Sequence, residues 1–148
     1  MIAIASDHRG FDMKGELVKY LKEKNIDFKD LGTDSMDSID YPIKAEAVAT
    51  EIQSGRATKG ILICGTGLGM SIAANKFKGI RCTVCSNKEL ARLAKKHNDS
   101  NILALGAELN TPLQAIEILE VWLGTMFEGE RHQRRISMIE EIENKNFK

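Results

Sequence analysis

The residues best suited to chemistry lie in the segment 61–71, where a cysteine leads directly into a glycine-rich turn. Three apolar residues come first, and the chain then reads Cys64, Gly65, Thr66, Gly67, Leu68 and Gly69. This pattern predicts a strand, a tight turn and a helix N-terminus, which direct backbone N–H groups and the helix dipole at one point. Such a site can cradle a phosphate or stabilise an oxyanion beside a reactive thiol. Because a helix N-terminus favours a thiolate, Cys64 is a candidate base or nucleophile.

A second polar loop, which follows the first predicted strand, carries Asp7 and His8. In parallel sheets, ligands bind beyond the carboxyl ends of the strands, and the first and third strands are commonly neighbours. We therefore expect Asp7 and His8 to lie near Cys64. Structural alternatives stay open for each residue. Asp7 could cap the first helix, His8 could be a solvated loop residue, and Cys64 could be a packing residue.

Two further groups of polar residues could take part in binding. His97 and Asn98 precede the fifth predicted strand, where the histidine could instead be favoured by the dipole of a helix C-terminus. Arg131 and Arg135 are four residues apart, so they share one face of the last predicted helix. Two guanidinium groups on one face suit a phosphate, although the same pattern also fits a solvated basic face.

Other readings of these motifs are less well supported. No Gly-Lys-Ser or Gly-Lys-Thr sequence follows the glycine turn, and the acidic residue that a dinucleotide site needs is absent. Cys82 and Cys85 are spaced like redox or metal-binding cysteines, but an odd offset on a strand places their side chains on opposite faces. No second pair at ligand spacing accompanies them. We therefore expect neither a metal nor an organic cofactor.

The composition predicts one intracellular domain spanning residues 1–148. Hydrophobic residues make up 43% of the chain, and 21 basic residues balance 21 acidic ones. A net charge of zero argues against partners such as nucleic acid or a membrane surface. No apolar run approaches the length of a membrane span, and the N-terminus lacks the layout of a signal peptide. An odd number of cysteines favours free thiols, so we expect a cytoplasmic protein.

Strands and helices alternate along the chain, which predicts an α/β fold. The predicted strands are 1–5, 26–28, 59–63, 80–85 and 102–105. The predicted helices are 11–24, 42–53, 72–76, 87–96, 112–123 and 130–144. Right-handed crossovers make such a five-stranded parallel sheet doubly wound, with helices on both faces and an extra C-terminal helix. That last helix carries an apolar stripe, Ile136, Ile139 and Ile142, for which a second subunit is a natural partner.

Taken together, the motifs resemble the type B ribose-5-phosphate isomerases, whose relatives include galactose-6-phosphate and allose-6-phosphate isomerases. They are Ser6-Asp7-His8, Asp40-Tyr41-Pro42, the run ILICGTGLGMSIAANKFKGIR, His97-Asn98-Asp99, Trp122-Leu123-Gly124 and Glu130-Arg131-His132-Gln133-Arg134-Arg135. The resemblance implies a Rossmann-like sheet and an aldose–ketose isomerase of the pentose phosphate pathway. It implies that ribose 5-phosphate and ribulose 5-phosphate interconvert through an enediolate, without metal or organic cofactor. It also implies a homodimer, or a dimer of dimers, with shared active sites.

The resemblance also implies a role for each residue of the site. Cys64 would transfer the carbon-bound proton, His97 would open the sugar ring, and Asp7 and Thr66 would handle oxygen-bound protons. The implied substrate contacts are His8, Tyr41, Gly65, Gly67, Leu68, Gly69, Asn98, Arg131 and Arg135. One departure stands out, because Glu108 lies where members often carry a phosphate-binding arginine. An isomerase of a hexose 6-phosphate, a cysteine-dependent hydrolase and a non-catalytic sugar-phosphate-binding module are the alternatives.

The predicted topology separates two of these residues. His97 lies on a helix-to-strand connection, at the amino edge of the sheet, whereas Cys64 lies on a strand-to-helix turn at the carboxyl edge. A strand length of about 17–20 Å separates the two edges. If both residues serve one sugar, His97 must come from a neighbouring subunit related by a two-fold axis.

Overall fold

A five-stranded parallel sheet organises residues 1–147, the part of the chain described by this computed structural model. The elements are β1 (Ile2–Ser6), α1 (Phe11–Glu23), β2 (Phe28–Asp30), α2 (Tyr41–Gln53), β3 (Lys59–Cys64), α3 (Leu68–Ala74), β4 (Cys82–Val84), α4 (Lys88–Asn98), β5 (Ile102–Gly106), α5 (Pro112–Gly124) and α6 (Arg131–Asn146). The strands lie in the order β2-β1-β3-β5-β4, and every neighbouring pair is parallel. The predicted α/β fold, doubly wound with an additional C-terminal helix, is confirmed.

Helices cover both faces of the sheet, so its central strands are apolar at nearly every position. Ile61 and Ile63 of β3 face the cluster formed with α1, α4 and α5. Leu62 and Cys64 alternate with them and face the cluster formed with α2 and α3. The period of two therefore gives each face its own core. Cys82 and Cys85 follow the same rule and lie in opposite cores, as the sequence predicted.

The strand order brings three loops together at the carboxyl edge of the sheet. β1 and β3 are neighbours, as predicted, with Ser6 in register with Ile63. β5 then lies directly beside β3, with Gly106 opposite Cys64. Because β5 lies between β3 and β4, the turn after β5 reaches the glycine turn that follows β3.

Some element boundaries differ from the sequence prediction. α3 begins at Leu68, immediately after the glycine turn, rather than near Ile72. Gly67 adopts a left-handed conformation with φ of +82°, which lets the chain reverse within one residue and begin the helix at once. β4 is only three residues long, and β2 begins at Phe28. Both shorter strands lie at the edges of the sheet, where one side lacks a pairing strand.

α6 packs against α4. His132 and Ile136 are buried, whereas Ile139 and Ile142 are exposed, together with Met138. The apolar stripe predicted from the sequence is therefore covered at one end and open to solvent at the other. Among the described residues 1–147, no helix is long and apolar enough to cross a membrane.

The pairing of β5 with the glycine turn yields a testable prediction. A Cβ atom at Gly106 would lie 2.7–2.8 Å from backbone atoms of Thr66, a separation that folded proteins do not tolerate. Gly106→Ala should displace this turn and lower the free energy of unfolding by about 1–3 kcal/mol. Gly15→Ala, whose Cβ would meet nothing within 4 Å in the interior of α1, should instead stabilise the protein by about 0.5–1 kcal/mol. Denaturant unfolding measures both effects, and equal values for the two variants would contradict the packing argument.

Candidate active site

A cavity of about 540 Å³ opens at the carboxyl ends of β1 and β3. Its lining residues are Asp7, His8, Arg9, Ser38, Ile39, Asp40, Tyr41, Cys64, Gly65, Thr66 and Gly69. The two loops that were predicted to meet thus line one cavity, and the segment before α2 contributes to the same lining. Arg9, Ser38, Ile39 and Asp40 were not predicted as site residues, although Arg9 directly follows His8.

Cys64 lies at the inner end of this cavity and is 5% exposed. The backbone N–H of Gly67 donates a hydrogen bond to its Sγ atom over 3.1 Å. The N–H of Leu68 donates to Thr66 Oγ1 over 3.2 Å, which fixes the threonine side chain at the start of α3. An N–H donor stabilises a thiolate more than a neutral thiol, because charge on the acceptor strengthens the bond. The turn thus places a backbone N–H donor directly on the sulfur of Cys64.

The other two cysteines lack such an environment. Burial raises the pKa of Cys82 to about 12, so its thiol stays protonated at neutral pH. Burial also raises the pKa of Cys85 above its usual 9.0, an effect that a hydrogen bond with Thr83 partly opposes. All three cysteines are free, and neither Cys82 nor Cys85 lines the cavity. Of the three thiols, Cys64 is therefore the one that lines the cavity.

The turn after β5 holds the glycine turn in place. The N–H of Ala107 donates to the carbonyl of Cys64, and the N–H of Glu108 donates to that of Gly65, each over 2.9 Å. Gly67 lies close to β5, where an added Cβ would be 3.2 Å from the backbone of Leu105. Gly67 and Leu68, predicted as substrate contacts, do not line the cavity. Gly67 instead shapes the turn, because its positive φ reverses the chain.

Asp7 organises the loop after β1. Its Oδ1 atom accepts hydrogen bonds from the backbone N–H groups of Arg9 over 2.9 Å and Gly10 over 3.1 Å. The residue that caps α1 is Gly10, so the alternative that Asp7 itself caps the helix is wrong. The carboxylate instead tightens the turn before the helix and lines the cavity at the same time.

His8 and Tyr41 also line the cavity. His8 Nδ1 accepts a hydrogen bond from the N–H of Ile39 over 3.2 Å. In the neutral ring this bond assigns the proton to Nε2, which is left as a donor. The ring of Tyr41 packs on Gly69, where an added Cβ would approach Tyr41 Cζ to 2.5 Å. Glycine at position 69 is thus required for the tyrosine to close over the turn.

The remaining predicted residues lie elsewhere. His97, Asn98, Arg131 and Arg135 do not line this cavity, and Asn98 instead borders a groove beside α6. His97 belongs to the last turn of α4, which leads to the amino end of β5, where the Asn101 carbonyl accepts from the N–H of Gly60. Cys64 lies opposite Gly106 at the other end of the same strand pair. The predicted separation of His97 and Cys64 to opposite edges of the sheet is confirmed.

His97 instead stacks on His132. The sequence did not predict this contact, because the two residues lie on different helices. The ring centroids are 4.3 Å apart and the rings are inclined by 15°. Glu128 Oε1 lies 3.8 Å from His132 Nε2, so the three side chains form a cluster whose ligating atoms lie within 4.8 Å of one another. Histidine and glutamate are residue types that bind metal ions. However, a ring nitrogen binds an ion in its own ring plane, and two nearly parallel stacked rings do not converge on one ion.

The surroundings of His132 disfavour its protonation. Burial lowers the pKa of His132 below its usual 6.5, and the nearby charges of His97, Arg131 and Arg135 lower it further, whereas Glu128 raises it. His132 Nε2 is buried and makes no hydrogen bond within residues 1–147. At neutral pH the ring is therefore uncharged and serves as a flat surface for His97.

This shift predicts how stability depends on pH. The unfolded chain binds the His132 proton more tightly than the folded chain does, so the contribution to stability is present above pH 6.5 and is lost as the pH falls. His132→Gln, which cannot titrate, should flatten the decline in melting temperature between pH 7.5 and 5.5. Glu128→Gln, which removes the opposing charge, should make the decline steeper. If wild type and both variants decline in parallel, His132 is not responsible for it.

The chain is similar to known isomerases over nearly its full length. Residues 2–139 match the family model described as Ribose/Galactose Isomerase. Ribose-5-phosphate isomerase B of Escherichia coli strain K12 is 46% identical over 144 residues, which cover 97% of each chain. The solved structure of Clostridium thermocellum ribose-5-phosphate isomerase B superposes with a TM-score of 0.96, at 46% identity and 97% coverage of both chains.

A third similarity involves a structure with a bound sugar phosphate. Ribose-5-phosphate isomerase B of Mycoplasma genitalium was solved with ribulose 5-phosphate. It superposes with a TM-score of 0.95, at 39% identity, and the match covers 98% of this chain and 97% of the other. With this sheet order, the cysteine cavity and these full-length matches, the chain belongs to the ribose/galactose isomerase family.

Proposed function

We propose that this chain interconverts ribose 5-phosphate and ribulose 5-phosphate, as a cofactor-independent step of the pentose phosphate pathway in the cytoplasm. The observation that carries the proposal is the position of Cys64, whose sulfur accepts the Gly67 N–H at the inner end of a cavity large enough for a sugar phosphate. The ribose-5-phosphate isomerases B that resemble the chain over nearly all of its length support the same reaction.

Isomerisation of an aldose requires a base beside the carbon that carries the mobile proton. In the proposed mechanism the Cys64 thiolate removes the proton from C2 of the open-chain aldose, and the electron pair moves to give an enediolate with charge on O1. The Cys64 thiol then returns the proton to C1, and the proton on O2 is transferred to O1. The product is the ketose, with every proton and electron pair accounted for.

In the proposed mechanism, two cavity residues transfer the proton between the oxygen atoms of the substrate. Thr66 Oγ1 lies at the start of α3, where it accepts the N–H of Leu68 and keeps its own hydroxyl proton to donate. Asp7 uses Oδ1 for two backbone N–H groups, which fixes its carboxylate in the cavity wall. We assign the transfer between O2 and O1 to this pair, and we assign contact with the substrate to His8, Tyr41, Gly65 and Gly69.

A complete site of this kind needs a second copy of the chain. His97, which we assign to ring opening, lies at the opposite edge of the sheet from Cys64, and Arg131 begins the helix that packs beside it. A two-fold axis would bring both groups into the neighbouring cavity. The exposed apolar residues of α6, Met138, Ile139 and Ile142, provide a surface for that contact.

The proposed reaction is tested by incubating the protein with ribose 5-phosphate and following ketose formation. Cys64→Ala should lower kcat by about 100-fold or more and abolish exchange of the C2 proton with solvent, while the substrate still binds. Cys82→Ala is the matched control, because it removes a buried thiol outside the cavity. Binding without turnover in wild type would favour a sugar-phosphate-binding module. Faster turnover of allose 6-phosphate or galactose 6-phosphate would favour a hexose phosphate isomerase.

Shared sites are tested by subunit complementation. Cys64→Ala and His97→Ala proteins should each be inactive alone, because each homodimer lacks one group in both sites. A mixed dimer should regain about half of the wild-type activity, since one of its two sites then contains both residues. Native mass spectrometry verifies that mixed dimers form. Verified mixed dimers without recovered activity, made from folded parents, would overturn the shared-site proposal.

A further inference from the structure

We propose that Arg9 is a phosphate anchor supplied by the same subunit that carries Cys64, and that Glu108 is the residue that positions it. The inference rests on the proposed function for the identity of the substrate. Its physical basis, however, is an anion site, which can be tested separately from turnover.

Arg9 supplies the fixed positive charge in the part of the cavity wall that comes from its own subunit. Among the residues that line it within 1–147, Arg9 is the only lysine or arginine, whereas Asp7 and Asp40 contribute two carboxylates. A terminal phosphate carries close to two negative charges at neutral pH and would be repelled by such a wall. Arg131 and Arg135 of the same subunit do not reach this cavity. The subunit's own guanidinium therefore supplies the fixed positive charge.

The stem of Arg9 crosses the glycine turn beside Cys64. Its backbone N–H is held by Asp7 Oδ1 over 2.9 Å, and its Cδ atom would lie 3.2 Å from a Cβ placed on Gly65. A side chain at position 65 would therefore displace it. Arg9 is thus guided from the loop after β1 over the residue that follows Cys64, toward the turn after β5.

Glu108 fixes the far end of this side chain. Arg9 Nη1 donates to Glu108 Oε1 over 3.0 Å, and the N–H of Glu108 is itself bonded to the carbonyl of Gly65. The position of the guanidinium is consequently tied to the same turn that holds Cys64. Both side chains are more than half exposed, so the ion pair adds little to stability. The ion pair instead fixes the position of the Arg9 guanidinium.

The pairing leaves Arg9 able to bind a ligand. A guanidinium has five N–H donors in a planar fork, and Glu108 accepts from one of them. The exposed edge can donate two parallel hydrogen bonds to a phosphate, a geometry that a lysine ammonium cannot reproduce. The ligand class is therefore a terminal phosphate monoester, and an unphosphorylated sugar gains nothing from this contact.

The first test uses Arg9→Ala, Arg9→Lys and the matched control Arg92→Ala, which breaks a similar exposed ion pair with Glu89 on α4. Calorimetry with inorganic phosphate reports the anion site, and steady-state kinetics with ribose 5-phosphate report its use. Arg9→Ala should weaken phosphate binding and raise KM about tenfold or more, with kcat within about twofold of wild type. Arg9→Lys should recover part of the loss, and Arg92→Ala should change neither quantity.

The outcomes separate this inference from the proposed function. If wild type binds phosphate through Arg9 but does not isomerise ribose 5-phosphate, the proposed function fails and the anion site stands. If wild type isomerises the sugar while Arg9→Ala leaves both phosphate affinity and KM unchanged, the anchor is wrong. A fall in kcat at constant KM would also overturn it, because an anchor acts on binding.

The second test examines the positioning by Glu108. Glu108→Ala should raise KM in the wild-type background but have no further effect in Arg9→Ala, since it acts through the arginine. Glu108→Asp, which retains the acceptor, should restore most of the affinity. If Glu108→Ala instead lowers KM equally in both backgrounds, the carboxylate acts on the phosphate directly, and the positioning role is wrong.

Discussion

The contact between two turns at the carboxyl edge of the sheet governs the rest of the site. The pairing of β3 with β5 places Gly106 opposite Cys64, and two backbone hydrogen bonds then extend the ladder into the loops beyond it. Only a residue without a side chain at position 106 allows Thr66 to approach so closely. The sulfur of Cys64, the start of α3 and the carboxylate of Glu108 all take their positions from this contact. Chemistry at the cavity thus depends on backbone geometry before it depends on any side chain.

Much of the architecture could be predicted because it is encoded locally. Buried strands leave continuous apolar runs, helices leave a periodic pattern, and glycine turns mark the points between them. The adjacency of β1 and β3, and with it the meeting of Asp7 and His8 with Cys64, follows from the usual winding of such sheets. The opposite orientation of Cys82 and Cys85 follows from the alternation of side chains along a strand.

The features that the sequence did not predict depend on contacts between distant segments. The stacking of His97 on His132 requires the end of α4 to meet the start of α6, and no spacing in the chain indicates it. Arg9 is adjacent to His8 in sequence, but its role depends on Glu108, which lies at the end of another strand. The early start of α3 was missed because it depends on the backbone conformation of Gly67. The residues from Leu68 onward are compatible with a helix, so their types alone do not fix where the helix begins.

The two outermost strands of the sheet are its shortest. β2 and β4 contain three residues each, whereas the strands between them contain five or six. An edge strand exposes unpaired backbone groups, and a long apolar edge would be a template on which other chains could add strands. Here the edge strand β2 also carries Lys29 and Asp30, whose charges oppose stacking against a second sheet. The brevity of these edges therefore disfavours the addition of strands from other chains.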